Sequence, residues 1–175
     1  MKTRKIKLPQ LSFMSKYLEG DNEDFLESIS SHVGHLVFEF NLLEERLTSF
    51  LCQLFIDDYD AIGLIVTKNM GVAEKVDLLD RFAQHQQSNL EKPINGHSKL
   101  IEDLKESGRL RNMVVHAEWN TVDLEGFAFT KLRIKKGELT QEFAQLNEDA
   151  LIEIRSLIIE THNAFDDYEE DYFKI

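Results

Sequence analysis

This chain has few of the residues that break or staple a fold. Two prolines and eight glycines in 175 residues leave little to interrupt a helix, which favours long helices over many turns. The single cysteine, Cys52, excludes an intramolecular disulfide. It falls in an apolar run, so a buried thiol is expected, and that fits a reducing, cytoplasmic setting. No apolar run approaches the roughly 18 residues that a membrane-spanning helix needs. The basic start, Met1 to Gln10, is not followed by the apolar stretch of a secretory signal. There is no glycine-rich phosphate loop, cysteine pair or serine-nucleophile motif, so nothing calls for a cofactor. Positive charge is also short. Twenty Lys and Arg face 32 Asp and Glu, for a net charge of −12, which counts against general nucleic-acid binding, because phosphate contacts need local positive charge. The charge is uneven, however. Lys2, Arg4, Lys5 and Lys7 make the N-terminus basic, while Asp166, Asp167, Glu169, Glu170 and Asp171 make the C-terminal helix acidic.

What the chain does have is apolar periodicity. Ile29, Val33, Leu36, Phe40, Leu43, Leu47, Phe50 and Leu54 repeat at alternating spacings of four and three, a seam along one face of a helix. The expected helix runs from about Asn22 to Phe55, with Gly34 inside it as a site of close packing or a bend. Asp57-Asp58-Tyr59-Asp60 breaks the pattern and is read as the cap of a short helix, Ala61 to Val66. After the turn signal Asn69-Met70-Gly71, Val72, Val76, Leu79 and Phe82/Ala83 mark another helix. The polar stretch from Gln86 to Gly96 is read as a loop, and a helix follows from about Ser98 to Glu118. Strand formers from Phe127 to Ile134, a turn at Lys136-Gly137 and Leu139 to Phe143 predict a β-hairpin over about 126–143. Asn147 is placed as an N-cap. From there Leu151, Ile154, Ile158, Thr161, Phe165, Tyr168 and Tyr172 repeat the first seam. Two such seams need partners. The predicted fold is therefore mainly α: an antiparallel helical bundle with two long helices and a β-hairpin inserted before the C-terminal helix. It forms one domain over 21–175 behind an N-terminal arm, 1–20.

The segment richest in chemistry is Arg111-Asn112-Met113-Val114-Val115-His116. With 7 Arg, 9 Asn and 6 His in the chain, chance gives about 0.01 occurrences of Arg-Asn-x3-His. On a helix Leu110, Met113, Val114 and Ala117 face one side, whereas Asn112 and His116, at i and i+4, share another. Arg109 joins the face of His116, and Arg111 flanks it about 100° around from Asn112. Such a face suits RNA cleavage by internal transfer. His116 can take the proton of a ribose 2′-hydroxyl near neutral pH. An arginine can grip the phosphate and stabilise its developing charge, and Asn112 can orient the imidazole or hold a phosphate oxygen. The 2′-hydroxyl requirement limits cleavage to RNA. The plainer alternative is a surface arginine and a hydrogen-bonded histidine.

This segment resembles the Arg-x4-6-His signature of HEPN (higher eukaryotes and prokaryotes nucleotide-binding) domains, many of which are metal-independent ribonucleases. Asn41-Leu42-Leu43-Glu44-Glu45-Arg46-Leu47, then Glu74-Lys75-Val76-Asp77-Leu78-Leu79, then Arg111 to Trp119 follow the order of elements in bacterial members. The resemblance covers roughly residues 30 to 120 and the last helix, with Arg111, Asn112 and His116 matching residue by residue. It implies an endoribonuclease leaving 2′,3′-cyclic phosphate ends. It also implies a homodimer with both Arg/His sets facing one cleft, and a toxin or phage-defence setting with an antitoxin or partner protein. Many ribonuclease members carry an aromatic two residues after the histidine; here that residue is Glu118, and Trp119 comes one later. Members that kept the fold as binding modules make a non-catalytic RNA-, nucleotide- or protein-binding module the alternative, and a helical dimeric scaffold a third.

Other candidates have competing readings. Lys131, Arg133 and Lys135 alternate onto one side of a strand and can track an RNA backbone or serve as a charged edge against aggregation. Trp119 can stack a base or pack against the end of the bundle. His32, His35 and Glu39 have the spacing of a metal set, but no second carboxylate–histidine pair complements them, and a polar helix face is the simpler reading; no metal is expected. Glu44 and Glu45 are carboxylates that the sequence alone does not place relative to the Arg/His pair.

Overall fold

The computed structural model describes residues 1–8, 23–55 and 60–174. The anticipated cap Asp57-Asp58-Tyr59 and most of the predicted arm lie outside them. Among the described residues the elements in chain order are strand β1 (Thr3–Leu8), helices α1 (Glu23–Gln53), α2 (Asp60–Thr67), α3 (Val72–Leu90) and α4 (His97–Val115), a 3-10 turn (Trp119–Thr121), strands β2 (Phe127–Lys135) and β3 (Glu138–Gln145), and helix α5 (Glu148–Phe173). The protein is mainly helical, with one small antiparallel sheet in the order β1-β3-β2. No described helix is long and apolar enough to cross a membrane. The described residues group into two compact units, Met1–Leu36 with Leu110–Arg155, and Val37–Arg109 with Ser156–Ile175.

Both seams are buried along their helices. Ile29, Leu36, Phe40, Leu43, Leu47 and Phe50 of α1 and all seven seam residues of α5 are buried, while Val33 and Leu54 are half-buried. In the second unit the Phe50 ring meets Phe165, Tyr168, Tyr172 and Phe173. Arg46, one turn earlier on α1, reaches Asp166 at 2.9 Å and Glu169 at 2.5 Å. The two long helices therefore run in the same direction, not antiparallel as the seams alone suggested; a seam fixes which face is buried and is silent on direction. α4 runs opposite to its neighbours α3 and α5. Its His97 sits between Asp80 and Tyr168, its Lys105 lies by Asp77, and its Ser107 lies by Thr161. Asp166 and Glu169 thus bind Arg46.

Three helix expectations are corrected. α3 continues through Leu90, so the polar stretch from Gln86 is helical for its first half. There Gln86 donates to the Tyr172 carbonyl, and Gln87 accepts the Ile94 amide through its side chain. α4 stops at Val115 and not at Glu118, for reasons that belong to the site below. Gly34 is not a close-packing position among the described residues, none of which lies within 4 Å of where its Cβ would stand. The glycine that packs tightly is Gly63 of α2, where a Cβ would fall 2.5 Å from Cys52 Cα.

In the first unit, the hairpin forms as predicted and runs slightly longer, to Gln145. The unanticipated element is β1. Residues 3–8 pair with β3 from Thr3↔Ala144 to Leu8↔Leu139, so this part of the basic N-terminus is a sheet edge. Phe127, Phe129 and Phe143 form an apolar cluster with Ile6 packed against it, and Arg4 covers the Phe127 ring at 4.2 Å, a cation–π contact. The Asn147 N-cap is present, its side chain accepting the Ala150 amide at 3.1 Å.

Candidate functional site

The Arg-Asn-x3-His segment lies at the C-terminal end of α4, in the first unit. Val114 is buried and Leu110 and Ala117 nearly so. This anchors one side of the helix and turns Asn112 and His116 to solvent, where both are exposed. The His116 amide still donates to the Asn112 carbonyl at 3.0 Å. Helical geometry therefore carries through to His116 and keeps Asn112 and His116 on one face, although His116 itself is the first residue past the helix.

Two contacts end α4 here. The Trp119 indole donates to the Val114 carbonyl at 3.0 Å, satisfying one of the carbonyls that every helix end leaves open. Two residues beyond His116, the Glu118 amide donates to the Phe129 carbonyl of β2 at 2.8 Å, in an antiparallel bridge. The sheet captures the chain before another helical turn can form. The His116 turn is thus held from both sides, by an indole and by a strand.

Arg111 is half-buried. Its Nη1 donates to Asn112 Oδ1 at 2.9 Å. By helix angle alone Arg111 and His116 stand about 140° apart; the bond to Asn112 draws the guanidinium toward the face that Asn112 shares with His116. Asn112 accordingly accepts from the arginine, a role that leaves its amide NH2 to donate.

The remaining predicted site residues do not all converge on this segment. Arg109, in the second unit, is clamped by Glu106, with Nε and Nη2 at 2.7 and 2.6 Å from the two carboxylate oxygens. That pairing lowers the Glu106 pKa and raises that of Arg109. Arg109 also borders an open groove with Lys99, Lys105, Glu102, Asp103 and Glu106, a balanced set of charges with no preference for an anion. Trp119 is half-buried with its N–H committed to α4. Lys131 and Arg133 lie exposed on β2. A bulge between Phe129 and Lys131 sets their register, so that Lys131 stands opposite Glu142 and Arg133 opposite Thr140. Arg133 and Lys5 hold Glu142 from either side at 2.8 and 3.2 Å. Burial pushes the Glu142 pKa up, but the two cations prevail and leave it lowered. Glu44 binds Lys75 at 2.8 Å. His32 lies 3.3 Å from Glu148, and among the described residues no three His, Cys, Asp or Glu side chains are grouped to hold a metal ion.

Sequence reasoning passed over a buried polar chain in the second unit. His97, 7 % exposed, places Nδ1 2.9 Å from the Tyr168 hydroxyl and Nε2 2.9 Å from Asp80. The hydrogen bond from His97 lowers the Asp80 pKa, and burial pushes that of Tyr168 well above the ordinary phenol value. The chain joins α3, α4 and α5, and all three groups are satisfied by one another, as buried polar groups require. Its sequence signal was slight, because the three residues come from separate helices.

No protein-family model, curated protein or solved structure matches this chain.

Proposed function

We propose that this protein is a HEPN-type endoribonuclease that cuts RNA without a metal ion and leaves 2′,3′-cyclic phosphate ends. The observation that carries the reading is the hydrogen bond from Arg111 to Asn112, on the face that Asn112 shares with the exposed His116. His116 takes the proton of a ribose 2′-hydroxyl. The freed oxygen bonds to the adjacent phosphorus, the bond from phosphorus to the 5′-oxygen breaks, and the leaving oxygen takes a proton from water. Arg111 stabilises the charge on the non-bridging oxygens through this step, while Asn112 aims the guanidinium and offers its NH2 to the phosphate. Two copies related by a two-fold axis, with both Arg/His sets lining one cleft, complete the site in this reading. It places the enzyme among toxins or phage-defence effectors restrained by a partner protein.

A second reading is a HEPN-like module that binds RNA, a nucleotide or a protein without cutting; the net charge of −12 favours its protein-binding form, since phosphate contacts need local positive charge. Mixed RNA incubated in excess chelator with the wild type and with His116→Ala separates the readings. Cleavage by the wild type alone supports the enzyme. Binding without cleavage supports the module, and a stable dimer that does neither supports a scaffold.

A further inference from the structure

Charge in this protein is segregated to a degree that its total conceals. The three strands and the β2–β3 turn carry seven cations, Arg4, Lys5, Lys7, Lys131, Arg133, Lys135 and Lys136, against two carboxylates, Glu138 and Glu142. That is a net +5 in a chain of −12, so the rest of the molecule carries −17. Register places most of these cations on one face. Residues directly opposite in an antiparallel pair share a side of the sheet. Lys5, Glu142 and Lys131 form one such row, and Lys7, Thr140 and Arg133 the next, with Lys135 opposite Glu138 beyond them. The aromatic cluster of Phe127, Phe129 and Phe143 belongs to the opposite face. The cations therefore occupy the two outer strands, about 10 Å apart across the central one, and the carboxylates stand between them. Glu142 spaces Arg133 and Lys5, and Glu138 holds Lys7 at 3.1 Å. Among the described residues Lys131, Lys135 and Lys136 have no ion pair.

We propose that this basic sheet face is the binding surface for a single-stranded ribonucleic acid, which it leads along β2 to the His116 turn. The proposal extends the ribonuclease reading, on which the choice of RNA over another polyanion rests. Along β2 the cations recur every second residue, about 6.7 Å, on the scale of successive phosphates in an extended single strand. The antiparallel bridge Glu118↔Phe129 sets the chain running back from Glu118 to His116 beside β2, in the direction of Lys131. The path of cations and the candidate base are thus joined by one hydrogen-bonded junction within the same unit. The exposed Leu132 and Ile134 stand on the opposite face from the cations, an arrangement ill suited to lying flat on an anionic membrane.

The test uses the full chain, a fluorescent 12-mer of oligouridylate and the matching oligodeoxythymidylate, which lacks the 2′-hydroxyl and cannot be cut. Anisotropy is read between about 50 and 200 mM salt, a range over which phosphate contacts weaken steeply. The double variant Lys131→Glu/Lys135→Glu changes two exposed side chains, and circular dichroism checks that it folds. We expect it to bind both oligomers at least about tenfold more weakly, with a salt slope shallower by about two. Unchanged affinity in the variant, no binding of either oligomer by the wild type, or preferential binding to phosphatidylserine vesicles would overturn the proposal. Sheet-dependent binding of the deoxy-oligomer by a wild type that cuts no RNA would support the surface and defeat the nuclease reading.

Discussion

The contact from Trp119 to Val114 gives the sharpest separation of a structural from a substrate-binding role. Trp119→Phe keeps an aromatic ring and removes the indole N–H that reaches the Val114 carbonyl at 3.0 Å. Val114 is fully buried, and its carbonyl belongs to the last turn of α4, where no helical amide remains to bond it. Losing such a bond costs about 1 kcal/mol net, rising toward about 3 kcal/mol if the carbonyl stays dry and unsatisfied. For a chain of this size 1 kcal/mol corresponds to a fall of about 3 °C in Tm. The assay is a thermal and urea melt followed by circular dichroism, since Trp119 is the only tryptophan and its replacement removes the fluorescence probe. The same variant is then assayed on RNA. If the indole positions the His116 turn, stability falls by this amount and kcat drops while KM holds. If it stacks a base, phenylalanine preserves most of the stacking and stability is untouched. A variant as stable as the wild type and with an unchanged kcat would refute the positioning role.

Three further outcomes follow from the packing. Gly34→Ala and Gly63→Ala should have opposite signs in urea unfolding. The first gains up to about 1 kcal/mol of helix propensity in open space. The second loses about 1–3 kcal/mol, because its methyl meets the Cys52 backbone; equal shifts would show that the fit of α2 on α1 is wrong. Phe165→Ala empties the fully buried ring site between Phe50 and Tyr168 and should cost about 3–5 kcal/mol in the same assay, a loss of less than 1 kcal/mol being incompatible with the packing. The lowered pKa of Asp80, set by its bond to His97, makes a contribution to stability that is complete above the ordinary aspartate range near 4. It disappears as pH falls through the depressed value. Asp80→Asn should therefore flatten the acid limb of the stability–pH curve, and an unaltered limb would count against the clasp.

The burial of α1 and α5 was legible in the sequence because an alternating four–three spacing has one structural meaning, and every seam residue of α5 is buried. The Asn147 cap and the hairpin were legible for the same reason, since their signals are local. What was not legible depends on partners distant in sequence. The six residues of β1 become a strand through pairing with β3, far along the chain. The polar half of α3 is helical without an apolar stripe, supported by hydrogen bonds such as that from Gln86 to Tyr172. The early end of α4 is imposed by Phe129 and Trp119. At the site, the shared face of Asn112 and His116 followed from helix geometry. The turn of Arg111 toward Asn112 did not, because it depends on a side-chain bond that spacing cannot fix. The clamp on Arg109 was within reach, since Glu106 stands three residues before it.

The central claim is that His116 and Arg111 act together on a ribose and its phosphate. Analysis of the new ends formed on a labelled RNA oligomer in excess chelator tests it most directly. The account predicts 2′,3′-cyclic phosphate and 5′-hydroxyl ends from the wild type, a rate at least about a hundredfold lower for His116→Ala and for Arg111→Ala, and no cut where a single 2′-deoxy residue replaces the cleaved position. Ends carrying 3′-hydroxyl and 5′-phosphate, or cleavage undiminished in His116→Ala, would contradict it.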